Sequence, residues 1–288
     1  MLYRWLFRAL ISVLVLGTLA FTLLSLRPPS ESAWERIQRT GTIRIGHTAE
    51  APYAFRDEDG RVTGEAPEVA RKVLERLGIT HIEWVQTDFG ALLTQLRLGR
   101  VDMVAAGMFI TPERERLVAF SRPSFCVQEA LLVRQGNPAG LRSMSDFVGH
   151  GARRIAVLSG SVESDQAVLA GLRPEQIVSF PDAASAVDAL RHDVVDGLAL
   201  SDPTIRRLAR TEPTLEAVSL ATPATWLGCG GFAFRRQDRA LSDAFDAELA
   251  KVIGSGEHLS LIEPLGFTRG NLPYPDHARH RGEHGHGG

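Results

Sequence analysis

The chain has 288 residues, 44% of them hydrophobic and 23% charged, with only 2 cysteines. That balance excludes a mainly disordered, collagenous or disulfide-dense chain and leaves length for about two compact units, each with its own core. A formal net charge of -2 supplies no global field for a polyanion, so no nucleic-acid partner is expected.

The first segment reads as an address. Arg4 and Arg8 flank the start of an apolar run, uncharged over residues 9–26, that Arg27, Pro28 and Pro29 end. Residues 1–30 are therefore an export signal or a retained amino-terminal membrane anchor. The run is long for a cleavable signal, and Thr18-Leu19-Ala20 makes a poor cleavage site. Either way the working part is expected in a periplasm or on a cell surface.

Hydrophobic patterning next predicts strands over 42–46, 81–86 and 101–105, alternating with helices over 65–77 and 90–98. The first helix carries Val69, Val73, Leu74 and Leu77 on one face, with Pro67 tolerated in its first turn. An apolar strand over 130–133 follows, and after Asn137-Pro138 the pattern restarts. Strands fall over 154–158, 176–180 and 195–200, and helices over 162–172 and 183–190. A strand over 231–235 and helices over 241–253 and 257–265 close the ordered part, and they are free to return to the first unit. Such β-α-β runs imply α/β lobes with largely parallel sheets covered by helices. The tail over 272–288 is rich in Pro, Gly, His and Arg and is expected to be disordered. Its His277, His280, His284 and His286 lack fixed spacing, so no metal and no cofactor are assigned.

Cys126 and Cys229 are permitted to pair in an oxidising compartment, but spacing alone does not bring them together. Two buried free thiols is the favoured reading.

Open parallel sheets bind ligands at the carboxyl ends of their strands. Those places follow Gly46, Ala105, Leu158 and Leu200. The first offers Glu50 and Tyr53, with Phe55 read as core. The second offers Phe109 and a helix start, Thr111-Pro112, that sets Arg114 in its first turn. A guanidinium fork there suits a carboxylate, although Glu113 or Glu115 could instead hold it. Ser161 opens the helix after Leu158, as a cap or as an anion ligand.

The segments 41–55, 64–77, 99–114 and 232–238, above all the run Ile110-Thr111-Pro112-Glu113-Arg114, resemble the family 3 solute-binding proteins of ABC transporters. The resemblance implies a two-lobed type II periplasmic binding fold: two mixed sheets flanked by helices, joined by two hinge strands near 130–133 and 228–232. It places one lobe in 40–129 plus 232–271 and the other in 134–227. It also implies a monomer that captures a small zwitterionic solute and partners an ABC permease, with Arg114 clamping the ligand carboxylate and no catalysis.

Departures from the polar-amino-acid members narrow the ligand. Phe109 replaces a usual threonine, and Ser201 replaces an aspartate for the α-ammonium, with Asp202 one step on. Tyr53, Phe89 and Phe109 then make an aromatic cage for a delocalised or alkylated cation. This resembles the ectoine and hydroxyectoine-binding subset, which implies that Glu50 meets the amidinium N–H groups. Three alternatives stay open: a polar-amino-acid receptor, an enzyme similar to periplasmic cyclohexadienyl dehydratases with Glu50 or Glu163 as acid, and a membrane-tethered sensory module.

Overall fold

The computed structural model describes residues 31–220 and 227–273. The address segment and nearly all of the tail lie outside these residues. A helix absent from the sequence reading opens the fold: α1 (Ala33–Thr40), begun by a reciprocal cap between Ser32 and Glu35 and ended by Gly41 in the left-handed region. It begins before the expected lobe boundary at 40 and buries Ile37.

There follow β1 (Thr42–His47), β2 (Phe55–Arg56), β3 (Val62–Thr63), α2 (Glu65–Arg76) and β4 (His81–Gln86). A 3-10 turn over Phe89–Ala91 leads into α3 (Leu92–Arg97), β5 (Met103–Val104), α4 (Pro112–Leu117), β6 (Ala119–Phe120) and β7 (Phe125–Val127). The middle of the chain supplies β8 (Glu129–Arg134), α5 (Ser145–Val148), β9 (Ile155–Leu158), α6 (Val162–Leu169), β10 (Ile177–Phe180), α7 (Ala183–Arg191), β11 (Gly197–Ser201), α8 (Asp202–Thr211) and β12 (Leu215–Ser219). The last elements are β13 (Gly228–Gly230), β14 (Ala233–Phe234), α9 (Arg239–Val252) and α10 (Gly256–Ile262).

Two five-stranded mixed sheets result, in the orders β4-β1-β5-β14-β6 and β10-β9-β11-β8-β12. Within the first, β1 runs parallel to β4 and β5, while β14 returns antiparallel between β5 and β6. Hydrophobic clusters cover both faces of each sheet, as buried mixed sheets require. On one face of the first sheet, Val69, Val73 and Leu74 of α2 meet Leu241, Phe245 and Leu249 of α9. The carboxyl-terminal elements therefore rejoin the first lobe.

The strands that carry the chain between sheets are β7 and β13, which pair antiparallel. Residues 130–133, expected at the hinge, instead lie inside β8, paired with β11 and β12 in the second sheet. The hinge register sets Cys126 opposite Cys229, and the two form a disulfide, not the expected free thiols. Their sequence separation of 103 hid a pairing that only the crossing of these strands creates.

Candidate functional site

Between the two sheets lies a narrow cavity of about 30 Å³, room for a water or two in this closed form. Glu50, Tyr53, Phe89, Phe109 and Arg114 line it from the first lobe, and Ser161 and Ser201 from the second. Of the residues expected at the site, Asp202 alone is not in this lining. Its carboxylate accepts from Arg206 Nε at 2.7 and 2.9 Å, one helical turn away.

The loop after β1 turns tightly, the amides of Tyr53 and Ala54 both donating to the Glu50 carbonyl at 2.9 Å. Tyr53 packs against Phe125 and Phe267 and lies over Gly107, where a Cβ would come within 2.4 Å of the ring. Gly107 also has a φ of +66°, so both space and backbone require glycine. The Tyr53 hydroxyl is buried without a hydrogen-bond partner; burial raises it, and the Ser201 side chain opposes that. Phe55, expected in the core, is half-buried, with the Arg207 guanidinium 5.0 Å from its ring centre.

Arg114 sits as its helix start dictates. Thr111 caps α4 by accepting from the Arg114 amide at 3.3 Å. The guanidinium is buried, donating through Nη1 to the Phe109 carbonyl at 2.7 Å and through Nη2 to the Gly160 carbonyl of the other lobe at 2.9 Å. Neither Glu113 nor Glu115 holds it; Glu113 pairs with Arg116. Its charge rests 5.5 Å from the centre of the Phe89 ring. One wall of the expected cage thus already holds the protein's own cation, leaving Tyr53 and Phe109 as the free rings.

Glu50 is buried, and its Oε1 accepts from Thr204 Oγ1 at 3.1 Å, which in turn accepts from Ser201 Oγ at 3.2 Å. Burial first, and the nearby Glu163 second, push its carboxyl up to about 7, against the pull of the Thr204 hydroxyl. Ser161 caps α6, accepting from the Ser164 amide at 3.3 Å, and it also lines the cavity.

Sequence reasoning did not place Glu163 or Thr204 among the ligand-contact residues. Glu163 is buried in the first turn of α6 and lines the cavity two residues after Ser161. Its place in the helix start after a strand end was the available signal. Burial raises its carboxyl, opposed by its own amide, the Ser161 hydroxyl and the Arg114 charge. Next door, Glu129 accepts from Gln166 at 2.5 Å and is pushed up to about 8, mainly by burial. Thr204 sits in the first turn of α8, a helix the sequence reading omitted. Among the described residues, no group of three His, Cys, Asp or Glu could hold a metal.

The lobes touch directly. Besides Arg114 to Gly160 and Thr204 to Glu50, a Cβ on Gly90 would lie 2.9 Å from the Ser159 carbonyl oxygen. This is a closed cleft.

Residues 43–264, well over half of the chain, match the family described as bacterial extracellular solute-binding proteins, family 3. A probable amino-acid ABC transporter periplasmic-binding protein of Sinorhizobium fredii is 32% identical over 246 residues, 81% of this chain and 79% of its own. The crystal structure of EhuB in complex with hydroxyectoine aligns with a TM-score of 0.78 at 36% identity, over 84% of this chain and 94% of that one. That of an ancestral amino acid-binding protein, a precursor of cyclohexadienyl dehydratase, gives 0.72 at 28% identity, over 81% and 99%. Both mixed sheets and the paired strands between them fall largely within the matched span: the chain belongs to the family 3 bacterial extracellular solute-binding proteins, with their type II fold.

Proposed function

We propose that this protein captures a small zwitterion of the ectoine and hydroxyectoine class and presents it to an ABC permease. The observation that carries the reading is the polarity of the cavity. At one end Arg114, anchored through two carbonyls, keeps donors for a carboxylate. Elsewhere a buried carboxyl, Glu50, and the rings of Tyr53 and Phe109 suit a delocalised cation. Ligand binding draws the lobes together about β7 and β13, because Ser161 and Ser201 of the second lobe reach it only in the closed form. Residues 1–30 are the export signal or a retained anchor; an anchored receptor, or a tethered sensory module, keeps the same cleft.

A polar amino acid is the second ligand class. It is favoured by the engagement of Phe89 with Arg114, which reduces the cage to two rings. An enzymatic reading rests on Glu50 itself, since a buried acid near 7 is poised to donate a proton, as a cyclohexadienyl dehydratase would need.

A thermal-shift screen of exported protein, freed of co-purified ligand by partial unfolding and dialysis, tests these readings. Ectoine and hydroxyectoine should raise the melting temperature. Phe109→Thr should weaken them while strengthening α-amino acids. A shift with polar amino acids alone would replace the ectoine class, and turnover of prephenate or arogenate would replace the receptor.

A further inference from the structure

At the end of the first lobe far from the cleft lies a second recess, an open groove of about 590 Å³. Arg44 stands early in β1, Asp102 just before β5 and Arg235 just after the antiparallel β14. The groove therefore sits at the amino-terminal ends of the parallel strands, whereas the ligand groups follow their carboxyl ends. Arg36 of α1 and Arg97 of α3 complete its arginines.

The charges here are layered. Asp102 and Asp238 lie within, their side chains 0% and 7% exposed. Asp102 alone accepts from Arg36, Arg44 and Arg235. The third acid, Glu31, is turned onto Arg39, which donates to both its oxygens. Four guanidinium groups against two buried carboxylates leave two positive charges over. A guanidinium has several N–H donors, and among the described residues Arg97 has no ion pair, so donors for an outside anion remain. Beside Arg97, Leu98 is 62% exposed, and Arg100 is exposed as well. A leucine flanked by arginines suits a membrane surface, its apolar tip entering the headgroup layer and the cations meeting phosphates.

The course of the chain brings that surface close. Glu31, where the described residues begin, lines this groove. The apolar run of the address segment ends at residue 26, and the four residues between reach at most about 14 Å. A run retained in a bilayer holds the groove against lipid headgroups. We infer that the groove is a seat for the phosphates of anionic lipids, standing the receptor on its membrane with the first lobe down. This rests on the retained-anchor form of the function proposed above. The second lobe is then outermost, free to swing about β7 and β13, and the cleft meets its solute away from the bilayer.

Hydrogen exchange of the full chain in lipid nanodiscs tests the seat, once intact mass has shown whether residues 1–30 stay on protein extracted from membranes. Discs of phosphatidylcholine alone are compared with discs of equal parts phosphatidylcholine and phosphatidylglycerol. On the anionic discs the amides over 33–44 and 97–102 should exchange at least about threefold more slowly, and high salt should remove the difference. Arg97→Glu, at an exposed position whose side chain holds nothing in the fold, should remove about half of that protection or more. Arg116→Glu, on α4 outside the groove, should leave it whole. Equal exchange on the two kinds of disc, or protection unmoved by Arg97→Glu, overturns the lipid seat and leaves the anchored receptor standing. The same protection on neutral discs supplied with inorganic phosphate makes the groove a free-anion site and overturns the lipid assignment. Loss of residues 1–30 from every molecule overturns the seat together with the anchor, and leaves solute capture in the cleft as it was.

Discussion

Burial of acids sets the behaviour of single residues here. Glu50, Glu65 and Glu129 are raised from an ordinary 4.5 to about 7, about 8 and about 8, in each case chiefly by burial. A buried acid raised in this way gives its full contribution to stability below its unfolded value, and surrenders it as pH climbs through the folded one. The buried His47 and His258 are shifted down, so their dependence is spent below about pH 6.5, where an exposed imidazole titrates. Asp102, held below its ordinary value by the hydrogen bonds of Arg44 and Arg36 despite its burial, stays ionised throughout this range. Ligand-free protein should therefore lose melting temperature between about pH 6.5 and 8, by several degrees, and Glu65→Gln, at a site buried within the first lobe, should flatten that fall. A melting temperature that rises over that interval would contradict the assignment. Arg114 was legible because a Thr-Pro helix start fixes where its side chain begins. Thr204 was not, since a hydroxyl in a first helical turn is usually a capping group, and Glu163 was named only as the acid of the enzyme alternative, since a carboxylate there is usually solvated. Only the approach of the other lobe makes them part of a cavity.

Among elements, the strongly periodic ones were readable and the polar ones were not. The strand over 81–86 and the helix beginning at Glu65 stand where their patterns put them: the helix buries one continuous apolar face, and the strand alternates half-buried Ile82 and Trp84 with exposed His81 and Glu83. Helix α8 does carry a helical apolar period, Ile205, Leu208 and Ala209, but so few apolar residues among Arg206, Arg207 and Arg210 were passed over in DPTIRRLART. Strand β12 is short and escaped for the same reason. The 3-10 turn over Phe89–Ala91 brings Gly90 against the Ser159 backbone, and its φ is not in the left-handed region. Gly90→Ala should then leave the first lobe intact and obstruct closure alone. The expected result is a loss of ligand affinity of about tenfold, about 1.4 kcal/mol, with the melting temperature of the ligand-free protein unchanged. Unaltered affinity would mean that the ligand does not require this approach.

For the whole molecule, two lobes were foreseeable from the repeated β-α-β pattern, and the return crossing expected near 228–232 holds β13, but the outward crossing was placed a few residues late. Hinge strands are too short to carry a pattern, which is why 130–133, the longer apolar run, stood in for Phe125–Val127. The bond between Cys126 and Cys229 closes a loop containing the entire second sheet. Disulfides typically stabilise by about 2–4 kcal/mol, chiefly by restricting the unfolded chain and more so for long loops such as this one. A Cys126→Ser, Cys229→Ser double variant should unfold at correspondingly lower urea, and an unchanged midpoint would show that the link adds nothing. Strand β14 leads to one more consequence. It sits between β5 and β6, yet more than a hundred residues separate it from either in the chain. The middle sheet, built wholly from residues between Glu129 and Ser219, has every partner at hand once that stretch emerges from a ribosome or a translocation pore. The amino-terminal sheet must wait, the slot between β5 and β6 vacant and their facing edges unpaired, until Ala233 and Phe234 arrive. The half of the molecule made first is thus the half completed last, and during export it is the part most in need of a chaperone.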